Sequence, residues 1–211
     1  IEAKRRNGLE NGEVRKGIGI LFMSDTIHLY VNMSGNTIPG TSFATIGEAL
    51  ASLPDVPASE SGKQFPAPVS ELPPVILHIG KGIYREKLVI TRPKIAFEGT
   101  GGDETILVDG DGAFDLMPEG DKRGTFRTAS VRIDTHDVTA RNLTFQNDSG
   151  YGHTVGQALA VYVDGDRNAF YNCRFLGSQD TIFDAPLPLK EAQPGGFKGP
   201  GEFKPRTIGR H

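Results

Sequence analysis

The sequence has no tryptophan, a single cysteine and no apolar run of membrane-spanning length. One thiol excludes an internal disulfide, so the fold must stand on packing and hydrogen bonds. Cys173 lies in the strand-like run Phe170-Tyr171-Asn172-Cys173-Arg174-Phe175 and reads as a small buried hydrophobe, not a nucleophile. A transmembrane helix needs close to twenty apolar residues in a row, and none is expected here. An excess of either charge is also missing: 26 acidic side chains face 23 basic ones, for a formal net charge of −3. That balance argues against nucleic acid or a membrane surface as partner. The one dense basic run, Lys4-Arg5-Arg6, reads as a solvated terminus. The five histidines, at 28, 78, 136, 153 and 211, show no metal-ligand spacing, and neither a metal nor another cofactor is expected. No Gly-x-Ser-x-Gly elbow is present, which argues against a serine hydrolase. Gly99-Thr100-Gly101-Gly102 lacks the lysine of a phosphate loop and reads as a corner between strands.

The chain does have turn residues. Its 211 residues include 27 glycines and 14 prolines, a frequency suited to many short strands joined by turns. Residues 1–27 are polar, then briefly apolar, and read as an extension; residues 28–211 read as one domain. His28–Val31, Val75–Ile79, Leu88–Ile90, Ile95–Phe97 and Thr105–Val108 read as strands separated by Gly and Asp. Thr41–Leu53 reads as a helix, with capping-box spacing at Thr45 and Glu48 and with Ile46, Ala49, Leu50 and Leu53 on one face. Residues 54–74 are rich in Pro and Ser and read as a loop. Residues 131–147 can be laid on 161–177, which brings Val131 onto Val161, Ile133 onto Val163, Asp134 onto Asp164, Asn142 onto Asn172 and Phe145 onto Phe175. Each copy holds a strand, a corner and a second strand, a unit that closes its core only by stacking on its neighbours. The paired asparagines are expected to bond to each other inside one turn of a solenoid, with the early helix capping its open end.

Six separated segments resemble pectin methylesterases, in family order, over residues 41–183. They are Thr41-Ser42-Phe43-Ala44-Thr45-Ile46-Gly47-Glu48-Ala49-Leu50; Gly80-Lys81-Gly82-Ile83-Tyr84-Arg85-Glu86; Asn142-Leu143-Thr144-Phe145-Gln146-Asn147; Gly156-Gln157-Ala158-Leu159-Ala160; Asp164 through Cys173; and Gly177-Ser178-Gln179-Asp180-Thr181-Ile182-Phe183. The insert from Pro186 to Arg206 resembles bacterial members. The resemblance implies an all-β, right-handed parallel β-helix, secreted, acting on methyl-esterified polygalacturonate. It also implies a second aspartate, the nucleophile, in a "D-F-I-F-G" segment, and an arginine in "L-G-R-P-W". Neither segment occurs in these 211 residues. The resemblance therefore covers the first half to two thirds of a catalytic domain, whose remaining part is the expected partner. No signal-peptide pattern opens the sequence at Ile1.

Hydrolysing a methyl ester needs a nucleophile, donors for the developing oxyanion and an acid for the departing methoxide. The resemblance assigns Asp180 as general acid and then base, and Gln157 and Gln179 as amide donors to the oxyanion. Their separation of 22 residues is close to one β-helix turn. Gln179 and Asp180 are adjacent and face one cleft only if the backbone bends between them. Phe183, Thr181 and His153 are candidate substrate contacts. Plainer readings stand beside these: a turn pair for Asp180-Thr181, core packing for Phe183, a surface position for Gln157 and a loop histidine for His153. Other classes also remain. A lyase or glycosidase on this fold would want calcium ligands or clustered carboxylates, which the Gln-Asp-Thr pattern fits poorly. A non-catalytic, pectin-binding scaffold fits the 211 residues without a nucleophile.

Overall fold

In the computed structural model the described residues are 26–32, 41–54 and 72–185. Residues 1–25 of the extension read as 1–27, most of the Pro/Ser-rich loop and the Pro186–Arg206 insert lie outside them. Strands β1 (Ile27–Val31), β2 (Ser42–Phe43) and helix α1 (Ile46–Ala51) come first. Then follow β3 (Val75–Ile79), β4 (Gly82–Arg85), β5 (Leu88–Ile90), β6 (Ile95–Glu98), β7 (Thr105–Asp109), β8 (Val131–Ile133), β9 (Val138–Arg141) and β10 (Thr144–Asn147). Helix α2 (Gly152–Val155) precedes β11 (Val161–Val163), β12 (Ala169–Tyr171), β13 (Arg174–Leu176) and β14 (Ile182–Asp184).

The strands sort into three parallel sheets, visited in turn. The first is ordered β2-β1-β3-β6-β9-β12, the second β4-β7-β10-β13 and the third β5-β8-β11-β14. A chain that passes from sheet to sheet and returns one strand further along is a parallel β-helix, and right-handed crossover makes it a right-handed one. Stacks of apolar side chains fill the interior. The third sheet supplies Leu88, Val131 and Val161 in register, with Ile182 next in the row but exposed; the second supplies Tyr84, Leu107, Phe145 and Phe175. Phe145 and Phe175 lie nearly parallel with ring centroids 5.5 Å apart, and Phe170 meets both edge-on. The 30-residue repeat is real in space: Val131 pairs with Val161, Ile133 with Val163 and Phe145 with Phe175.

Corners are fixed by residues in the left-handed region. Asn142 (φ 55°) and Asn172 (φ 50°) occupy the same corner of successive coils, and Asn172 Nδ2 donates to Asn142 Oδ1 at 2.7 Å. Asparagine tolerates this conformation because its short side chain bonds locally. The corner from the third to the first sheet holds Lys94, Asp137 and Arg167, with φ of 56–57°. There Arg167 grips Asp137 through two bonds of 2.6 Å. That contact, with a further bond from His136, holds the Asp137 carboxyl below the usual range.

The helix is shorter than the expected Thr41–Leu53. Ser42–Phe43 pairs with β1 instead, because the edge of the first sheet offers them a partner ladder. Thr45 is the N-cap, with the capping box formed by Thr45 and Glu48. The next two amides are taken by a residue far along the chain: Ile46 N and Gly47 N donate to the two oxygens of Glu86, at 2.8 and 2.7 Å. Ile46 and Ala49 are fully buried, so this clasp holds the helix on the end of the solenoid. Gly82–Arg85, read from sequence only as part of a motif, is a strand of the second sheet.

Candidate active site

Two long connections leave the same corner, from the second sheet to the third. Residues 110–130 join β7 to β8, and residues 148–160 join β10 to β11. They pair with each other: Phe114 N donates to Val155 O at 2.9 Å, and Ala113 N to Gln157 O at 3.0 Å. Gly156 makes this possible, since with φ +77° it lies on the Phe114 ring, which a Cβ would meet at 2.9 Å. Lys87 pins the first connection to the coil below, pairing with Asp111 and donating its Nζ to Arg127 O at 2.9 Å, while within the connection Arg123 reaches Asp111 at 2.9 Å.

Gln157 lies at the end of the second connection, half-buried, and the Thr125 hydroxyl donates to its Oε1 at 3.2 Å. One coil on, Gln179 and Asp180 are exposed. In a parallel ladder each N–H bonds to the residue preceding its partner, as Val161 N does to Thr181 O with Ile182 as partner. Ala158 N donates to Gln179 O at 3.1 Å, which brings the backbone of Gln179 alongside Ala158, the residue after Gln157. Ala160 N and Val161 N both donate to Thr181 O, at 2.9 and 3.2 Å. This bulge-like sharing absorbs the one-residue difference between the loop and the strands. Asp180 takes φ 54°, so the chain turns between Gln179 and Thr181, the bend that adjacency requires.

The remaining candidates are dispersed. The Gln179 side chain lies against Gly152, where a Cβ would stand 2.9 Å from its own Cβ. Thr181 is half-buried, its side chain against Gly177. Phe183 is half-buried on the outer face of the third sheet. It stacks on Tyr162 at 5.3 Å and meets Phe126 at 4.8 Å, a cluster outside the solenoid interior. His153 is exposed on α2 and stacks on Tyr151 at 5.9 Å. An open groove of about 250 Å³ adjoins these loops, lined by Gln146, Asp148, Tyr151, Leu176 and Ser178 among others; it stops one residue short of Gln179. The Asp148 carboxyl there is held below the usual range by Arg85. Burial pushes the half-buried Cys173 thiol up, away from nucleophilic use. Among the described residues no group of three or more His, Cys, Asp or Glu stands close enough to hold a metal, and no helix is long and apolar enough to cross a membrane.

Sequence reading missed Thr125, Phe126 and Tyr162. Tyr162 carried a signal: between two inward valines on one strand it must point outward, one coil from Phe183. Thr125 carried none, because it comes to Gln157 through a loop whose path no periodicity describes.

A three-sheet parallel β-helix defines the fold class. Residues 40–186 match the pectinesterase family, and the chain belongs to that family. Among its relatives, pectinesterase QRT1 of Arabidopsis thaliana is 42% identical over 117 residues, 52% of this chain and 30% of that protein. The pectin methylesterase PemA of Erwinia chrysanthemi superposes with a TM-score of 0.62 at 27% identity, over 74% of this chain and 45% of that one. A pectin methylesterase solved in complex with a hexasaccharide gives the same TM-score of 0.62 at 26% identity, again over 74% of this chain and 45% of the other. The chain thus spans less than half of each of these.

Proposed function

We propose that the protein carrying these residues hydrolyses methyl esters of polygalacturonate, releasing methanol and free carboxylates, with Asp180 as general acid and Gln157 and Gln179 as oxyanion donors. The observation that supports the reading is the Ala158 N–Gln179 O bond, which links the segment that follows Gln157 to the turn that carries Gln179 and Asp180. Amide donors suit the task because they stabilise a developing oxyanion without a charge to neutralise. A carboxylic acid is needed because methoxide leaves poorly unless protonated. The exposed Asp180 is accessible to a polymer, and on the outer face the half-buried rings of Phe183 and Phe126 rest on the buried Tyr162. Partly exposed rings of this kind suit the apolar faces of sugar rings. Phe183 is therefore the proposed platform. Thr181 supports the backbone and His153 flanks from α2. The domain is proposed to run from residue 28 onward. The place of action is proposed to be extracellular, where polymeric pectin lies.

The test is methanol release from highly esterified pectin, without chain cleavage, by a protein that holds these residues together with the family's nucleophile segment. Chain cleavage would point to a lyase or glycosidase. Pectin binding with no methanol would point to a scaffold.

A further inference from the structure

We propose that Arg92 and the pocket beside it bind a small monocarboxylic acid with an apolar body, away from the candidate active site. The pocket measures about 110 Å³ and lies where the end of α1 meets the end of β5, with Leu50, Leu53, Pro54, Val89, Thr91 and Arg92 among its lining residues.

Arg92 is a buried cation without an anion. Arg85, Arg123, Arg132, Arg167 and Arg174 each pair with an aspartate. Arg92 pairs with no carboxylate among the described residues, although it is only 6% exposed. Its Nη1 donates to Pro54 O at 3.4 Å and its Nη2 to Pro73 O at 3.2 Å, both beyond the usual length of about 2.9–3.0 Å. The buried Nε has no hydrogen-bond partner. Two distant carbonyls do not neutralise a guanidinium, and a charge taken out of water is normally paired. Lys94 adds a second cation nearby, its Nζ donating to Leu72 O at 3.5 Å. The acids of the neighbouring helix start are committed elsewhere: Glu48 to Thr45 N, and Glu86 to Ile46 N and Gly47 N. Burial with no counter-charge draws the Arg92 pKa below the usual guanidinium value.

The lining selects the ligand. A guanidinium has five N–H donors in a fork that matches a carboxylate, and Arg92 uses only two of them. Leu50, Leu53 and Pro54 form one wall and Val89 the other, with the Thr91 side chain the one polar neighbour besides Arg92. A sugar would leave its hydroxyls unbonded against these walls, whereas an alkyl or aryl body loses nothing there. A single water needs about 10–15 Å³ of such space, so the pocket has room for a small organic anion and not for an oligosaccharide. Val89 heads the outward row Val89–Arg132–Tyr162–Phe183 of the third sheet. The pocket is thus three strands, roughly 14 Å, from Phe183 and separate from it.

The test titrates the full protein with benzoate, with benzamide as its neutral isostere and with galacturonate, at constant ionic strength, by thermal melts and calorimetry. Benzoate at about twenty times its Kd should raise the melting temperature by roughly 4–7 °C, and benzamide by less than about 1 °C. Arg92→Met should weaken benzoate at least about tenfold. Arg92 also ties Pro54 to Pro73, so a second variant leaves it in place: Val89→Phe fills the pocket from a wall that is 48% exposed, and should weaken benzoate as much. Galacturonate should bind at least about tenfold more weakly than benzoate. No saturable shift up to on the order of 50 mM benzoate overturns the site, as do equal shifts for benzoate and benzamide, or parent-like benzoate binding by either folded variant. Galacturonate binding more tightly than benzoate, and lost in the same variants, overturns the apolar-body assignment and gives the carboxylate to the polymer. No arm reads methanol release, so the result is independent of the proposed activity.

Discussion

Replacing Glu86 by alanine should loosen the capping helix and leave the coils intact. The carboxylate takes the first two helical amides, Ile46 N at 2.8 Å and Gly47 N at 2.7 Å, from 40 and 39 residues away. Thr45 Oγ1 takes the amide of Glu48 at 3.1 Å, and Glu48 returns to Thr45 N at 3.3 Å. Glu86 thus completes the set of amides that a helix start leaves orphaned. Hydrogen bonds to a charged group are worth about 1.5–3 kcal/mol each. Glu86 is half-buried and water can re-solvate the freed amides, so the lower end applies, for about 3 kcal/mol in all. At about 2–4 °C per kcal/mol for a chain of this size, the melting temperature should fall by roughly 6–12 °C. Glu86→Gln should lose less, since one carbonyl oxygen can still accept, but its N–H₂ then faces the second amide donor. Thr45→Ala should cost about 1 kcal/mol and be less than additive with Glu86→Ala, because both cap one helix. Thermal melts give the stability, and hydrogen exchange at Ile46 and Gly47 locates the change. A melting temperature within a degree or so of the parent, with those amides still protected, refutes the clasp.

Two further outcomes follow from the structure. The Asp137 carboxyl is held below its usual range by Arg167 and, to a lesser degree, His136; a group whose folded pKa is depressed stabilises the fold above its unfolded value, near pH 4, and that contribution is lost as pH falls through the folded value. Melting temperature should therefore drop with acidification below about pH 4, and Asp137→Asn should flatten that slope while lowering the plateau above it; an unchanged slope contradicts the assignment. Gly152→Val should displace Gln179, whose Cβ lies 2.9 Å from where a Cβ at 152 would stand, and so lower kcat by about tenfold or more with little loss of stability; parent-like methanol release would show that Gln179 does not act from this position.

How much of this was legible in the sequence depends on how local each signal is. The interior stacks were legible, because Val131, Ile133 and Phe145 repeat at the same offset as Val161, Val163 and Phe175, and a solenoid turns an offset in sequence into a contact in space. The Asn142–Asn172 bond was legible for the same reason. The extent of α1 was not, since Ser42 and Phe43 are claimed by the edge of a sheet whose presence no local propensity records. The motif ending in Glu86 was visible as a pattern, but its work was not. Tyr84 buries its ring in the core and donates its hydroxyl to Gly80 O at 3.0 Å, while Glu86 caps a helix some forty residues earlier. At the candidate site what was legible was that Gln157 and Gln179 lie about one coil apart, as the Ala158 N–Gln179 O bond between neighbouring coils reflects. The bend at Asp180 could be stated only as a requirement. Thr125 was illegible because long connections carry no period.

The most direct measurement is methanol release from highly esterified pectin by the protein that unites these residues with the nucleophile segment, for the parent and for Asp180→Asn. Loss of an essential acid–base group that acts with a nucleophile typically costs several powers of ten, so Asp180→Asn should retain roughly a thousandth of the parent kcat or less. Its melting temperature should lie within about 2 °C of the parent, since Asp180 is exposed and outside the core. Parent-like methanol release from a folded Asp180→Asn protein would contradict the account.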